Sequence, residues 1–243
     1  MVGAGSAPGQ KTGPRWLLRP KRIWAAGLVV AAMVALTAGC GQPEFKYVSN
    51  TDDQMYFKVP SSWHEIDGGA VTDGFSGEVD PSSMVAAAQK QLWWSVAYDS
   101  DADPSPDHMT TILTSSEPVL YATIRHQLPA QQDQVSFDTM RDMFVPVSET
   151  QRQLAAQAGV ALDGFELLYD QVLTGPNGVH GVRVVFNYQF PTGILHTFDQ
   201  TAYANQDSSV LYFLLIRCTA KCYRDRVDEL NNIANSFTVR SKA

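Results

Sequence analysis

Residues 210–216 read Val-Leu-Tyr-Phe-Leu-Leu-Ile, seven apolar residues in a row. A strand with one face in water alternates apolar and polar side chains, whereas a strand covered on both faces is apolar throughout. We therefore predict that this stretch is the central strand of a sheet whose two faces are both covered.

The chain just before this strand has the pattern of an antiparallel meander. Strands are predicted over residues 162–174, 182–190 and 195–204, and Gly-, Pro- and Asn-containing turns separate them. The strand at 182–190 alternates apolar and polar residues, which is typical of a half-buried strand. Four strands joined by short turns pair in sequence order.

A helix is predicted directly after the central strand. Its apolar positions are Tyr223, Val227, Leu230, Ala234 and Phe237, at helical spacing. One face of this helix is therefore expected to pack on the sheet. A last short strand follows at residues 237–239.

Before residue 162, helices and strands are mixed. Strands are predicted at residues 44–48, 55–59, 92–98 and 118–128. Helices are predicted to begin at Asp80, Ser136 and Ser148, which are good N-cap residues. The helix from Ser136 is predicted to include Phe144, because Phe137, Met140 and Phe144 lie at helical spacing. The glycines at 68–69 and 74–77 predict loops.

The N-terminal segment has the pattern of a secretory signal. Four basic residues between Arg15 and Arg22 precede sixteen almost wholly apolar residues, Ile23 to Ala38. This run is shorter than the roughly 20 residues that a membrane-spanning helix needs. The positive charges favour the cytoplasmic side, so the chain after this run is expected outside the cytoplasmic membrane.

The signal ends at Leu36-Thr37-Ala38-Gly39-Cys40, which resembles the lipobox of bacterial lipoproteins. The resemblance implies cleavage between Gly39 and Cys40 and a diacylglyceryl group, with acyl chains such as palmitate, on the Cys40 thiol. Thr37 departs from the aliphatic residue that the motif prefers. The alternatives are an ordinary cleaved signal and an uncleaved membrane helix. Two acyl chains would hold the chain stably in the membrane.

These boundaries predict a signal peptide at 1–39, a tether at 40–53 and a single domain at 54–243. The remaining 204 residues are enough for one good core. Five of the 18 basic residues and none of the 25 acidic residues precede Cys40, so the mature chain has a net charge of −12. Such a surface repels phosphate backbones, and no nucleic-acid partner is expected.

Two short motifs in this domain resemble a known family. They are Met55-Tyr56-Phe57-Lys58-Val59-Pro60-Ser61-Ser62-Trp63 and Ile233-Ala234-Asn235-Ser236-Phe237-Thr238-Val239. Together with the element order they resemble the PsbP-like domain of actinobacterial lipoproteins of the LpqN type. The resemblance implies an α+β fold, an antiparallel sheet with helices on both faces (an α/β/α sandwich), and a binding or accessory role in the cell envelope.

Cys218 and Cys222 lie where the central strand gives way to the last helix. Thiols oxidise outside the cytoplasm, so we predict a disulfide between them, worth about 2 kcal/mol for so small a loop. A redox pair is the alternative. The spacing Cys-x-x-x-Cys is not that of thioredoxin-like sites, which favours the structural role.

The sequence contains no clear catalytic or metal motif. Asp99, Asp101, Asp103 and Asp107 are the best cation candidates, but Pro104 and Thr110 stand where an EF-hand needs glycine and a carboxylate. No close-spaced histidine pair, nucleophile elbow or phosphate loop occurs. We expect no catalytic residue, no metal, no cofactor and no enzymatic activity, and the sequence leaves cation binding by this acidic loop open.

Five aromatic residues invite two interpretations: Trp63, Trp93, Trp94, Phe75 and Tyr98 either fill the core or line an apolar pocket. Core packing is the preferred interpretation. For the whole chain, the favoured hypothesis is a lipid-anchored envelope binding or accessory protein, with an envelope protein or an apolar ligand as its partner. The alternatives are a small envelope hydrolase assembled from distant residues and a structural envelope protein without ligand.

Overall fold

The computed structural model describes residues 43–76, 83–111, 115–160, 163–190 and 192–240. The strands are β1 (Phe45–Asn50), β2 (Met55–Pro60), β3 (His64–Ile66), β4 (Trp93–Asp99), β5 (Val119–His126), β6 (Asp163–Thr174), β7 (His180–Gln189), β8 (Leu195–Ala204), β9 (Val210–Thr219) and β10 (Thr238–Val239). The α-helices are α1 (Gly68–Ser76), α2 (Met84–Leu92), α3 (Asp107–Thr110), α4 (Pro129–Gln132), α5 (Phe137–Arg141), α6 (Glu149–Gln157), α7 (Ala220–Asp225) and α8 (Val227–Ser236).

The main sheet is antiparallel and has the order β3-β4-β5-β9-β8-β7-β6. Strand β9, which contains the apolar run 210–216, is the fourth of these seven strands. Leu214 of β9 lies opposite Ala122 of β5 on one side and Thr201 of β8 on the other. The predicted central strand and the predicted meander β6-β7-β8-β9 are both confirmed.

Both faces of this sheet are covered. On one face, Leu214 and Ile216 pack with Leu230 and Ile233 of α8 and with the small sheet β1-β2-β10. On the opposite face, which we call the α1 face, Leu215 belongs to a cluster with Val71 of α1 and Met109 of α3, and Phe213 packs with Met140 of α5. The fold is therefore α+β, an antiparallel sheet with helices on both faces, as predicted.

Helix α1 occupies a segment that the glycines predicted to be loop. The Asp67 carboxylate accepts hydrogen bonds from the backbone N–H groups of Gly69 and Ala70 (2.8 and 3.1 Å), so the helix is capped in spite of its glycines. A Cβ on Gly68 would lie 2.8 Å from the backbone of Val96. Gly68 therefore allows α1 to lie directly on β4, which the sequence does not reveal.

Three further boundaries differ from the sequence prediction. The predicted last helix is divided into α7 and α8, because Arg226 leaves the helical region (φ −119°, ψ 21°). Helix α5 ends at Arg141, so Phe144 lies in a loop. A strand is predicted at 44–48, within the segment predicted to be a tether, and the corresponding strand β1 ends two residues later, at Asn50, and pairs with β2.

Candidate functional site

The α1 face contains a cavity of about 260 Å³. The rings of Phe75, Phe144, Phe190 and Phe198 form much of its wall, and Leu215 and Arg217 of β9 reach it from the sheet. Phe75 and Phe144 lie with ring centroids 5.2 Å apart, and Phe190 and Phe198 lie 6.1 Å apart. An apolar, aromatic-lined cleft with a few polar groups is the usual form of a small-molecule site.

The loop between α5 and α6 supplies three of the lining residues, Phe144, Val145 and Pro146. The Asp142 carboxylate holds this loop by accepting hydrogen bonds from the backbone N–H groups of Val147 and Ser148, each at 2.7 Å. The Tyr188 hydroxyl donates to the carbonyl of Pro146 (2.6 Å). Because both ends of the loop are fixed, this wall of the cavity is preformed.

Among the described residues that line this apolar cavity, Arg217 is the one with a positive charge. Its side chain is 2% exposed, and its Nε and Nη1 atoms have no hydrogen-bond partner among the described residues. Burial lowers the pKa of Arg217 to about 10, so the guanidinium remains charged at neutral pH. A buried, incompletely paired cation costs several kcal/mol of desolvation free energy.

His196 lies on β8 diagonally across from Arg217, on the same face of the sheet. Its ring is 1% exposed and contacts Phe190 edge-to-face at 5.6 Å, and both ring nitrogens lack a hydrogen-bond partner among the described residues. Burial, followed by the charge of Arg217, lowers the pKa of His196 to about 4. The imidazole is therefore neutral at physiological pH and adds no second charge beside Arg217.

A second cavity, of about 440 Å³, lies on the opposite face of the sheet and has both polar and apolar lining residues. Its guanidinium, Arg183, is fully engaged: it donates to both Asp199 carboxylate oxygens (2.9 and 2.6 Å) and to the side-chain carbonyls of Asn231 and Asn235. The Tyr223 hydroxyl also donates to Asp199 (2.8 Å). This network is satisfied within the chain, so it has the character of a structural centre.

The five aromatic residues singled out in the sequence divide between core and cavity. Trp63 and Tyr98 are core residues, and Trp94 packs against the same cluster. Trp93 lies under the Arg125 guanidinium, 4.4 Å from its ring centroid. Phe75 lines the cavity. The preferred core interpretation is thus confirmed for Trp63 and Tyr98, and Phe75 belongs to a pocket.

Cys218 and Cys222 are free thiols in the structure, with Cys218 buried and Cys222 half-buried. A hydrogen bond with Cys222, followed by burial, raises the pKa of the Cys218 thiol. The two sulfur atoms are thus neighbours but carry no bond between them. The disulfide stays a prediction.

The acidic loop uses its carboxylates internally. Asp99 accepts hydrogen bonds from the backbone N–H groups of Asp101 and Ser105 and contacts His108 Nδ1 at 2.7 Å. Asp101 accepts from the Ser115 hydroxyl (2.7 Å). Within the described ranges, no group of three or more His, Cys, Asp or Glu side chains is arranged to hold a metal ion.

The hydrolase hypothesis requires a nucleophile beside a histidine. The histidine hydrogen bonds seen in the described part of the chain go to the carboxylates of Asp99 and Asp53 and to the carbonyl of Gly178. None of these partners is a nucleophile of the serine or cysteine type. These contacts therefore give the hydrolase hypothesis no support.

The predicted signal and anchor, including Gly39 and Cys40, lie outside the described residues. Among the helices that the structure describes, none is long and apolar enough to cross a membrane. The location of the chain and its lipid attachment consequently stay predictions from the sequence.

Comparison with known proteins gives structural likenesses alone. No protein-family model and no curated protein sequence matches the chain. The solution structure of cyanobacterial PsbP (CyanoP) from Synechocystis sp. PCC 6803 is 14% identical, with a TM-score of 0.49, over 83% of this chain and 96% of that chain.

Two other solved structures are similar over most of their length. LpqN of Mycobacterium tuberculosis, described as involved in cell envelope biogenesis, is 14% identical with a TM-score of 0.38, over 86% of this chain and 97% of that chain. The Saccharomyces cerevisiae Ran-binding protein Mog1p is 10% identical with a TM-score of 0.40, over 80% and 95%. At these values the likenesses assign no family and no function, and membership of the LpqN-type family stays a prediction.

Proposed function

We propose that the chain is a lipid-anchored, extracytoplasmic binding protein of the bacterial cell envelope, without enzymatic activity, that holds an apolar ligand in the α1-face cavity. The observation that carries this proposal is the preformed, aromatic-lined cavity of about 260 Å³. Cys40 supplies the membrane attachment, and the acidic surface keeps the folded body away from anionic headgroups.

A neutral aromatic probe tests the cavity directly. Indole is expected to leave water and bind the purified chain saturably at one site, and calorimetry measures its affinity. Val160 lines the cavity and is 49% exposed, so Val160→Trp blocks the rim without disturbing the core. This variant should bind the probe at least tenfold more weakly, a change of about 1.4 kcal/mol.

The matched control is Leu128→Trp, because Leu128 is 53% exposed and is not among the described lining residues. It adds the same side chain to the surface and should leave probe affinity unchanged. Equal probe binding by the Val160→Trp and Leu128→Trp proteins, or no saturable binding by the wild type, would refute a ligand cavity at this place.

A protein partner is a second candidate function, supported by strand β6. This strand is an edge of the seven-stranded sheet, and Leu167, Leu168, Tyr169 and Val172 on it are each more than 40% exposed. An exposed apolar edge strand is a surface on which another chain can pair. If the cavity binds no probe, this edge becomes the better supported functional surface.

A further inference from the structure

Arg217 differs from Arg183, Arg141 and Arg226 in how its charge is compensated. The half-buried Arg125, which does not appear among the described lining residues, also forms no ion pair with the described residues. Arg183 is paired with Asp199, Arg141 with Asp170 and Arg226 with Glu229. Arg217 is less exposed than any of these three, yet no ion pair to it is formed by the described residues. The deepest of these four guanidinium groups is therefore the one that lacks a carboxylate.

One carboxylate of the chain acts on Arg217 without forming an ion pair with it. Asp99 raises the pKa of Arg217, but it lies on β4, two strands away across Val119 of β5. The backbones of Asp99 and Arg217 are therefore about 10 Å apart. Moreover, Asp99 is already engaged by His108 and by the backbone of its own loop. The positive charge thus persists next to the apolar cavity.

Resting on the proposed function, we propose that the ligand is an amphiphile with one oxyanion head and one apolar tail, bound with its head on Arg217. The oxyanion, a carboxylate or a phosphate, supplies the acceptors that Nε and Nη1 lack, and the tail lies among the rings of Phe75, Phe144 and Phe198. Charge-assisted hydrogen bonds from arginine to such heads are among the strongest in proteins.

The size of the cavity limits the tail. At about 30 Å³ for each water-sized group, 260 Å³ accommodates roughly nine non-hydrogen atoms. A single medium-length acyl chain therefore fits, whereas a two-chain lipid does not fit inside. Octanoate, with ten non-hydrogen atoms, is a suitable probe.

The experiment compares four ligands of equal chain length by calorimetry on the purified chain: octanoate, octyl phosphate, 1-octanol and octyltrimethylammonium. Octanoate is expected to bind at least tenfold more tightly than 1-octanol, and octyltrimethylammonium more weakly than both. The ratio of the affinity for octyl phosphate to the affinity for octanoate identifies which oxyanion is preferred. In Arg217→Met, the preference for octanoate over 1-octanol should fall below twofold while 1-octanol affinity is retained.

Arg125→Met is the matched control, since Arg125 is a second arginine on the same face that stacks on Trp93 and does not appear among the described lining residues. Its preference for octanoate should stay as in the wild type. If Arg217→Met fails to fold, Arg217→Lys is the alternative variant, because it keeps the charge but loses the planar fork. It should reduce the preference for octanoate over 1-octanol by a smaller factor than is expected for Arg217→Met.

Two negative results have different meanings. Equal affinity of the wild type for octanoate and 1-octanol, or an unchanged octanoate preference in Arg217→Met, would overturn the oxyanion head and leave the apolar cavity standing. Failure of all four ligands, together with failure of indole, would overturn the proposed binding function itself.

Discussion

Replacing Asp199 with alanine is expected to destabilise the chain by about 3–5 kcal/mol, because it leaves the Arg183 guanidinium without its counter-charge. Asp199 is completely buried and Arg183 is 8% exposed. Burial acts to lower the pKa of Arg183, but the hydrogen bonds and charge of Asp199 outweigh it, and the pKa is raised. The same carboxylate also binds the Tyr223 hydroxyl, so its removal affects two partners.

Urea unfolding of the purified variant measures this loss, with Asp170→Ala as the control. Asp170 makes a comparable two-pronged contact with Arg141, at 3.0 and 2.9 Å, but on the surface. Exposed ion pairs contribute about 1 kcal/mol or less. A loss for Asp199→Ala as small as that for Asp170→Ala would show that the Arg183 network is not a structural centre.

Replacing Gly181 with alanine is expected to cost about 3 kcal/mol, the upper end of the range for overpacking. Gly181 lies in β7, opposite Tyr203 of β8. An added Cβ would meet the carbonyl oxygen of Ala202 well inside contact distance and would lie 2.7 Å from Tyr203 Cδ1. Since this oxygen belongs to the neighbouring strand, it cannot move without distorting the β7–β8 ladder.

Gly69→Ala is the matched control for this substitution, because the nearest atom to its added Cβ is a flexible carboxylate oxygen of Asp67 at 3.1 Å. In helix α1 this change should be neutral or stabilising, by at most about 1 kcal/mol. Thermal or urea unfolding of both variants gives the comparison. Equal stability of the two would contradict the close approach of β7 and β8.

The sheet could be predicted from the sequence because its signals are local. The apolar run 210–216 indicates a strand buried on both faces, and the alternation at 182–190 indicates a strand buried on one face. Short turns fix the order in which the strands pair. Helix α1 has no such local signal, since its glycines resemble a loop and its formation depends on contact with Val96 of a distant strand.

The cavity could not be predicted in the same way, because its residues come together through register and long-range contacts. The spacing of Phe144 predicts a helical residue, but the helix ends at Arg141 and the Asp142 carboxylate holds the loop that follows. Arg217 follows the apolar run of β9 and looks like a polar residue at a strand end. One signal was present: alternation along β9 places residue 217 on the same face as Leu215.

Everything proposed about where the cavity operates depends on Cys40. Metabolic labelling with an alkyne analogue of palmitate, in a bacterial host with lipoprotein processing, tests it most directly, with Cys40→Ala as the critical variant and Cys222→Ala as the thiol control. Label is expected on the wild type and on Cys222→Ala, and none on Cys40→Ala. An unlabelled wild type, or label that persists in Cys40→Ala, would contradict a membrane-tethered binding protein.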